Sequence, residues 1–235
     1  MAKTSALPKF VQLSEMLIRE IAAGHLADGV RLPPERDMAE DLGVAVGTLR
    51  KALADVEAKG LLDRVQGSGN YVRHRPAVDS VYAFFRLELL KGGGLPTAEV
   101  LSVDRLAKPP GFARLGGHAD GHRIRRVRSL DGIVIALEEI WLDGAQRKSV
   151  GIADLSDSLY HFYRHELGLV IASVEDRIGV DAMPAWTPEV FHLKAGECAG
   201  FIERVSWTAA RQPAEYSHTW YDPARANYIS RMGKG

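Results

Sequence analysis

The most suggestive polar residues of the sequence are two arginines one residue apart, Arg126 and Arg128, which lie between the apolar Ile124 and Leu130. Residues two apart in a β-strand share a face, so the spacing predicts that both guanidinium groups point the same way. Two guanidinium groups held together can bind a carboxylate or a phosphate through paired hydrogen bonds. Anion binding is therefore the chemistry that they suggest, and an exposed strand with surface arginines is the alternative.

Three further stretches carry groups that could complete such a site. Ser158 and Tyr160 begin a predicted helix, where free N–H groups and the helix dipole favour an anion. Glu138 lies on a predicted strand with apolar residues on both faces, and a carboxylate there requires an arginine or a ligand donor as its partner. One face of the last predicted strand is rich in hydrogen-bonding groups, namely Glu215, Ser217, Thr219 and Tyr221. Helix capping and surface polarity are the alternative explanations.

The elements that would position these residues form an antiparallel α+β domain over residues 80–235, after a polar, proline-containing linker at 76–79. The tight turn Asp131-Gly132 indicates antiparallel pairing of the strands on either side of it. Strands are predicted over residues 123–128, 133–141, 175–181, 198–209 and 214–221, and helices near 82–91, 158–167 and 188–194.

The first 75 residues predict a different architecture. Periodicity predicts helices over residues 8–23, 35–42 and 48–59 and strands over 61–65 and 70–73. Pro33 and Pro34 suit the beginning of the second helix, while Gly43 and Gly60 end the second and third. Three helices followed by a hairpin is the order of a winged helix-turn-helix, which binds DNA.

Composition sets wider bounds. The 235 residues are 46% hydrophobic and 26% charged, which is typical of globular domains and excludes a disordered chain. The single cysteine, Cys198, excludes an intrachain disulfide or a cysteine metal cluster, and we expect it to fill a buried position in a strand. Residues 1–75 hold 11 Lys and Arg against 10 Asp and Glu, so bulk charge neither supports nor opposes DNA binding. No apolar run is long enough for a signal peptide or a membrane span, which predicts a cytoplasmic protein.

The first 73 residues resemble the DNA-binding domain of the GntR family of bacterial regulators. The matching stretches are residues 32–36, 42–44, 48–53, 59–62 and 66–72, together with Ala39. The rest resembles the effector domain of the HutC subfamily, also called UTRA, which shares a fold with chorismate lyase and binds small molecules. Residues 95–97, 126–128, 131–138 and 158–160, with Glu215 and Tyr221, occur in the expected order.

For DNA, the resemblance selects an arginine of the second helix, the beginning of the third helix and the wing. These residues are Arg36, Val46, Gly47, Thr48, Arg50, Gln66, Gly67, Ser68 and Gly69. A recognition helix reaches base edges with its N-terminal residues, and glycines let a wing approach a phosphate. Ala45 and Val46 stand where many relatives have serine and arginine, so a helix cap and a base-reading group are both absent.

For the effector, the residue patterns above and the resemblance, which adds Phe85 and selects Glu215 and Tyr221, together give residues around the arginine pair. These are Phe85, Arg126, Arg128, Glu138, Ser158, Tyr160, Glu215 and Tyr221. Phe85 stands where sugar-phosphate sensors of this subfamily usually have a serine. This departure weakens the case for a phosphate and leaves room for a carboxylate or an aromatic-compatible ligand.

The sequence therefore predicts a repressor that binds double-stranded operator DNA as a homodimer, responds to a small anionic effector, and has no cofactor, metal or membrane partner. The alternative is a chorismate-lyase-like enzyme fused to a DNA-binding domain. No nucleophile with a nearby base or metal-ligand spacing supports it, because His161, His165 and His192 are scattered. A ligand-independent architectural protein is a third possibility, which the arginine pair and the polar strand face oppose.

Overall fold

The computed structural model describes residues 7–74, 80, 82, 84–112 and 115–231. These residues form two compact units, one from Leu7 to Arg86 together with the chain from Ile229 onward, and one from Leu87 to Tyr228. The predicted linker at 76–79 lies outside the described residues. Ser80, Tyr82 and residues 84–86, which the sequence analysis assigned to the effector domain, belong to the first unit, where the Ser80 hydroxyl donates to Glu15.

The first unit is a winged helix-turn-helix, as predicted. Its elements are α1 (Lys9–Ala22), α2 (Glu35–Asp41), α3 (Val46–Ala58), β1 (Leu62–Val65) and β2 (Gly69–Val72). The stripe of Leu17, Ile21 and their neighbours on α1 packs against Leu49, Leu53 and Val56 of α3, all of them buried. The two strands pair antiparallel, with Leu62 opposite Val72. Burial of these apolar faces holds the three helices together.

The third helix begins two residues earlier than the sequence predicts. Ala45 occupies its N-cap and makes no side-chain hydrogen bond. Gly43, in the turn between α2 and α3, has φ of 61°, which a residue without a Cβ adopts readily. The turn is therefore fixed by backbone conformation, and the first turn of α3 starts at Val46.

The second unit is built on an antiparallel sheet of six strands in the order β4-β5-β6-β9-β8-β7. Its strands are β4 (Pro96–Ala107), β5 (Asp120–Leu130), β6 (Ile133–Asp143), β7 (Ser173–Ala182), β8 (Cys198–Trp207) and β9 (Pro213–Tyr221). Helix α4 (Leu159–Leu167) confirms the helix predicted near 158–167. Two short strands, β3 (Leu87–Leu89) and β10 (Ala226–Tyr228), pair separately.

The two faces of this sheet differ in chemistry. One face is apolar and packs Val127, Leu137 and Trp220 against Met183 and Phe191. Directly opposite residues share a face. On the other face Arg126 of β5 is opposite Glu138 of β6, and Glu138 is opposite Thr219 of β9. Ser217, on the same face of β9, is opposite Arg204 of β8. The polar face is covered by α4 and the segment that precedes it, since Tyr160, Tyr163 and Asp157 all hydrogen-bond to it.

Two predicted helices are wrong. Residues 82–91 contain the strand β3 instead of a helix, and three glycines with positive φ, Gly92, Gly93 and Gly94, follow it. Residues 188–194 form turns and bends, in which Phe191 is buried against the apolar sheet face. The helical spacing of apolar residues there comes from tertiary packing of an irregular segment.

Two further predictions differ from the structure. Strand β4 was not predicted, because a bulge between Val100 and Ser102 interrupts its pairing with β5 and makes its alternation of polar and apolar residues irregular. Cys198 begins β8 as predicted, but it is exposed and does not fill the core. Among the described residues, no helix is long and apolar enough to cross a membrane.

Candidate functional sites

The beginning of α3 forms an open surface. Gly47 and Arg50 are exposed, Val46 and Thr48 are half-buried, and a Cβ added at Gly47 would meet no atom within 4 Å. Arg36 is exposed in the first turn of α2. A helix-turn-helix docks with these turns against the major groove, so the arrangement leaves the predicted reading residues accessible to DNA.

One carboxylate connects three elements beside this surface. Glu35, the first residue of α2, accepts from Arg50 Nε at 2.6 Å and from Arg64 Nη2 at 3.0 Å. The hydrogen bond from Arg50 lowers the pKa of Glu35 more than burial raises it, and the charges of Arg50 and Arg64 add to the lowering. Glu35 and Arg64 were not predicted as site residues, although Glu35 lies in the stretch at 32–36 that resembles the GntR family.

The wing is a glycine turn between β1 and β2. Gly67 and Gly69 have φ of 76° and 131°, which confirms the expected positive φ. The Ser68 hydroxyl lies 2.7 Å from the Tyr71 hydroxyl, and Gln66 is exposed. A Cβ at Gly69 would lie 2.9 Å from Arg31 Nε, so the wing packs closely on the segment that precedes α2.

In the second unit, Arg126 and Arg128 point to the same side of β5, as predicted. Arg126 Nε donates to Glu138 Oε2 at 2.6 Å, and Arg128 Nε lies 3.8 Å from Glu138 Oε1. Both side chains also donate to the carbonyl oxygen of Asp157, at 3.5 Å from Arg126 Nη1 and 2.8 Å from Arg128 Nη1. All of these side chains are buried, so the alternative of exposed surface arginines is wrong.

Glu138 has the arginine partner that its apolar strand required. Burial alone would raise the pKa of Glu138, but the charges of Arg126 and Arg128 outweigh burial and lower it. Glu138 therefore remains a carboxylate that fixes two guanidinium groups in one orientation.

A second buried cluster surrounds Glu215. Its carboxylate accepts from Tyr163 at 2.6 Å and from Ser206 at 3.0 Å, and Tyr160 lies within 3.4 Å. Burial raises the pKa of Glu215 against the opposing effect of these hydrogen bonds and of Arg126 and Arg204. The pKa of Tyr160 is also raised by burial and by the charge of Glu215, so the phenol keeps its proton as a donor.

Several members of this polar layer were not found from the sequence. Tyr163 lies one helical turn after Tyr160 on α4, and that spacing was a usable signal. Arg204 forms two hydrogen bonds to Asp176, at 2.6 and 2.7 Å, and Tyr228 donates to the same carboxylate at 2.7 Å. These residues meet through strand register, which no local pattern displays.

The remaining predicted effector residues have clear structural positions. Ser158 is the N-cap of α4 and accepts from the His161 N–H at 3.3 Å. The Tyr221 ring lies over Gly200, where a Cβ would be 2.2 Å from the ring. Phe85 belongs to the first unit, where the guanidinium carbon of Arg19 lies 4.8 Å from its ring centroid. The other predicted effector residues all lie in the second unit.

A winged helix-turn-helix joined to a sheet with a buried polar layer is the architecture of a DNA-binding transcriptional regulator with a small-molecule-binding domain. The chain belongs to the GntR family, HutC subfamily: the model described as bacterial regulatory proteins, gntR family, matches residues 10–72, and the UTRA domain model matches residues 91–227.

Individual relatives agree over the whole chain. The HTH-type transcriptional regulator SmoD of Agrobacterium fabrum is 54% identical over 227 residues, which cover 97% of each chain. The HTH-type transcriptional repressor NagR of Bacillus subtilis is 22% identical, over 99% of this chain and 98% of its own. The crystal structure of the possible transcriptional regulator YydK from Bacillus subtilis has a TM-score of 0.55 and 23% identity, and it covers 97% of this chain and 100% of its own. That likeness supports the fold.

Proposed function

We propose that this regulator is a cytoplasmic repressor, that it binds operator DNA as a homodimer, and that a small anionic metabolite bound in the second unit changes its affinity for DNA. The observation that carries the proposal is the convergence of Arg126 and Arg128 on Glu138 and on the carbonyl of Asp157. A transcriptional regulator must reach the chromosome, which in a bacterium lies in the cytoplasm.

The buried polar layer supports ligand binding more than stability. A buried ion pair stabilises a fold poorly, because removing both charges from water costs about as much as their attraction returns. The second unit nevertheless buries Arg126, Arg128 and Glu138 between its sheet and the start of α4. Such a layer is useful if a ligand completes it.

An anion suits this position for two reasons. Glu138 holds the Arg126 guanidinium and the Asp157 carbonyl holds that of Arg128 before a ligand arrives, so little side-chain entropy remains to be lost on binding. Both groups also reach Asp157, next to the N-cap of α4, where backbone N–H groups favour negative charge. A carboxylate or phosphate of the ligand would replace Glu138 as the partner of one arginine.

The homodimer follows from the DNA-binding unit. One small and nearly neutral winged helix makes few phosphate contacts, whereas two units on neighbouring half-sites add their contacts. NagR is named as a repressor, and we extend that mode of action to this chain.

A thermal-shift experiment tests effector binding. Full-length wild type is heated with sugar acids, sugar phosphates and the neutral parent sugars, and a ligand at about 100 times its Kd stabilises the fold by about 2.7 kcal/mol. We expect an anionic compound to stabilise wild type and to leave Arg126→Ala/Arg128→Ala unchanged. The matched control is Arg125→Ala, because Arg125 lies on the opposite face and contacts Glu139 at 2.8 Å. Stabilisation by neutral sugars only, or equal stabilisation of the double variant, would contradict the proposal.

Selection of DNA sequences from a random pool tests operator binding and the homodimer. Duplexes recovered from a random pool by the full-length protein should carry an inverted repeat with half-sites about one helical turn, or a multiple of one turn, apart. Light scattering at micromolar concentration should give the mass of two chains. A monomer that binds one half-site as tightly as the whole repeat would disprove the homodimer.

A further inference from the structure

The last strand of the six-stranded sheet, β7, has an unusual outer edge. It runs for ten residues from Ser173 to Ala182 and pairs with β8 without a bulge, and the sheet order ends there in the part of the chain that the structure describes. Long, regular edges are templates for pairing with another strand. The other edge, β4, is interrupted by a bulge, and its Ala98 N–H is taken by Asp157 at 3.2 Å.

Hydrogen bonding shows which backbone groups of β7 face outward. Met183 N donates to Glu197 O at 2.8 Å, one register step beyond the Ala182–Cys198 pair. Antiparallel pairs alternate between hydrogen-bonded and non-bonded positions, so the odd-numbered residues of β7 bond to β8. The N–H and C=O groups of the even-numbered residues, including Ile178 and Val180, therefore point away from the sheet. At the end of the strand the Ala182 N–H donates to Asp181 Oδ1 at 2.8 Å.

The same two residues expose apolar side chains. Ile178 is 54% exposed and Val180 is 75% exposed, with Gly179 between them. Their flanking residues carry opposite charges, Arg177 on one side and Asp181 on the other. Edge strands are usually protected by charge, but the Ile178-Gly179-Val180 segment is uncharged.

We propose that β7 pairs antiparallel with β7 of a second copy of this chain about a two-fold axis through Gly179. Ile178 then lies opposite the partner's Val180 in a hydrogen-bonded pair, and Arg177 lies opposite the partner's Asp181. Symmetry repeats both contacts, so the interface holds two apolar pairs and two ion pairs. Each six-stranded sheet continues into the other.

Charge selects this register. Moving the axis to Ile178 places Glu175 opposite the partner's Asp181, which is a like-charge pair. Moving it to Val180 places Arg177 opposite the partner's Met183 and loses the ion pairs. With the axis at Gly179, the residue that faces its own copy has no side chain, which suits the close approach of a non-bonded pair.

The inference rests on the proposed homodimer and names its surface. The first test is a cross-link with Gly179→Cys in a Cys198→Ser background, since Cys198 is exposed. Nothing lies within 4 Å of a Cβ at Gly179, so the cysteine fits. Oxidation should convert most of the protein into a disulfide-linked dimer. The matched control is Ser173→Cys on the same strand, which lies six residues from the axis and should stay monomeric on a non-reducing gel.

The second test exchanges charges. Arg177→Asp and Asp181→Arg should each weaken self-association by about tenfold or more, because each places like charges opposite one another. An equimolar mixture of the two variants should restore dimer formation, because every facing pair of residues 177 and 181 in the mixed dimer again has opposite charges. Each substitution also removes a contact within its own chain, that of Arg177 with Glu203 or that of Asp181 with Trp220. The mixture still lacks both contacts, so a restored dimer cannot be explained by them. Sedimentation velocity measures both effects.

The outcomes separate the two proposals. A wild-type dimer, with no cross-link in the Gly179→Cys variant and no recovery in the mixture, overturns the β7 interface and leaves the homodimer intact. A wild-type protein that is monomeric at tens of micromolar overturns both.

Discussion

Arg50 Nε lies 2.6 Å from Glu35 Oε2, so the exposed cation of the recognition helix is held by the first residue of the preceding helix. An arginine with an intact charge and a fixed orientation reaches a guanine or a phosphate with less entropy loss than a free one. We therefore propose that Glu35 positions Arg50 for a contact with DNA.

The first prediction removes that cation. Arg50→Ala should weaken operator binding by about 1 to 3 kcal/mol per half-site, the range for a lost bidentate contact, and leave the fold intact because the position is exposed. Fluorescence anisotropy with the selected duplex measures the loss, and circular dichroism checks the fold. Glu57→Ala, near the other end of α3, is the control. Unchanged affinity in Arg50→Ala would show that the recognition helix docks in a different register.

The second prediction concerns Glu35. Its carboxylate pKa is lowered in the folded state by Arg50 first, so the stabilisation is present above the ordinary glutamate pKa and is lost as pH falls through the lowered value. The stability difference between wild type and Glu35→Gln should therefore be largest near neutral pH and should disappear at acid pH. Because Glu35 is only half-buried, we expect a small difference. A difference that does not depend on pH would contradict this account.

Glu35→Gln also tests whether Glu35 contributes to sequence-specific DNA recognition. With the carboxylate gone, Arg50 and Arg64 lose their shared partner, and a negative charge is removed from the predicted DNA-binding surface. We expect binding to scrambled DNA to strengthen and the ratio of operator to scrambled affinity to fall. The ratio is measured at one salt concentration, because phosphate contacts depend strongly on salt. An unchanged ratio would mean that Glu35 does not position Arg50 for base contact.

The sequence was most informative where structure is local. Prolines, glycines and apolar spacing within about 20 residues predict α1, α2, α3 and the wing. The alternate spacing of Arg126 and Arg128 predicts their common face. The helix predicted near 188–194 failed because Phe191 is buried by the sheet and not by a helix face. In each success the deciding contacts lie close together along the chain.

The missed site residues show the converse. Asp176 on β7 meets Arg204 on β8, which lies 28 residues further along the chain, and Ser206 meets Glu215 across β8 and β9. Their pairing depends on register, and one residue of slip would turn each side chain to the other face. A single sequence contains no local signal for that register.

The third prediction concerns the glycine under Tyr221. Gly200→Ala places a Cβ 2.2 Å from the ring, so the ring must move, and overpacking of this kind costs about 1 to 3 kcal/mol. In a Tyr221→Ala background the same substitution should be nearly neutral. Urea unfolding followed by tryptophan fluorescence measures both, because all four tryptophans lie in the second unit. Equal costs in the two backgrounds would show that the ring does not limit this position.

The fourth prediction contrasts two buried carboxylates of one sheet face. Arg126 and Arg128 lower the pKa of Glu138 despite burial, so its contribution to stability is present above the ordinary glutamate pKa and is lost as pH falls through the lowered value. Burial raises the pKa of Glu215, so folding favours its protonated form, and stability falls as pH rises from the ordinary value through the raised one. Glu138→Gln should therefore lose most stability at neutral pH, whereas Glu215→Gln should become more stable relative to wild type as pH rises. Tryptophan-monitored urea unfolding between about pH 2 and about pH 8 gives the two difference curves. The Glu138 curve should change below the ordinary glutamate pKa and the Glu215 curve above it, with opposite slopes. Curves of the same slope would mean that Tyr163 and Ser206 hold Glu215 as a carboxylate, and that the polar layer presents two negative charges to a ligand instead of one.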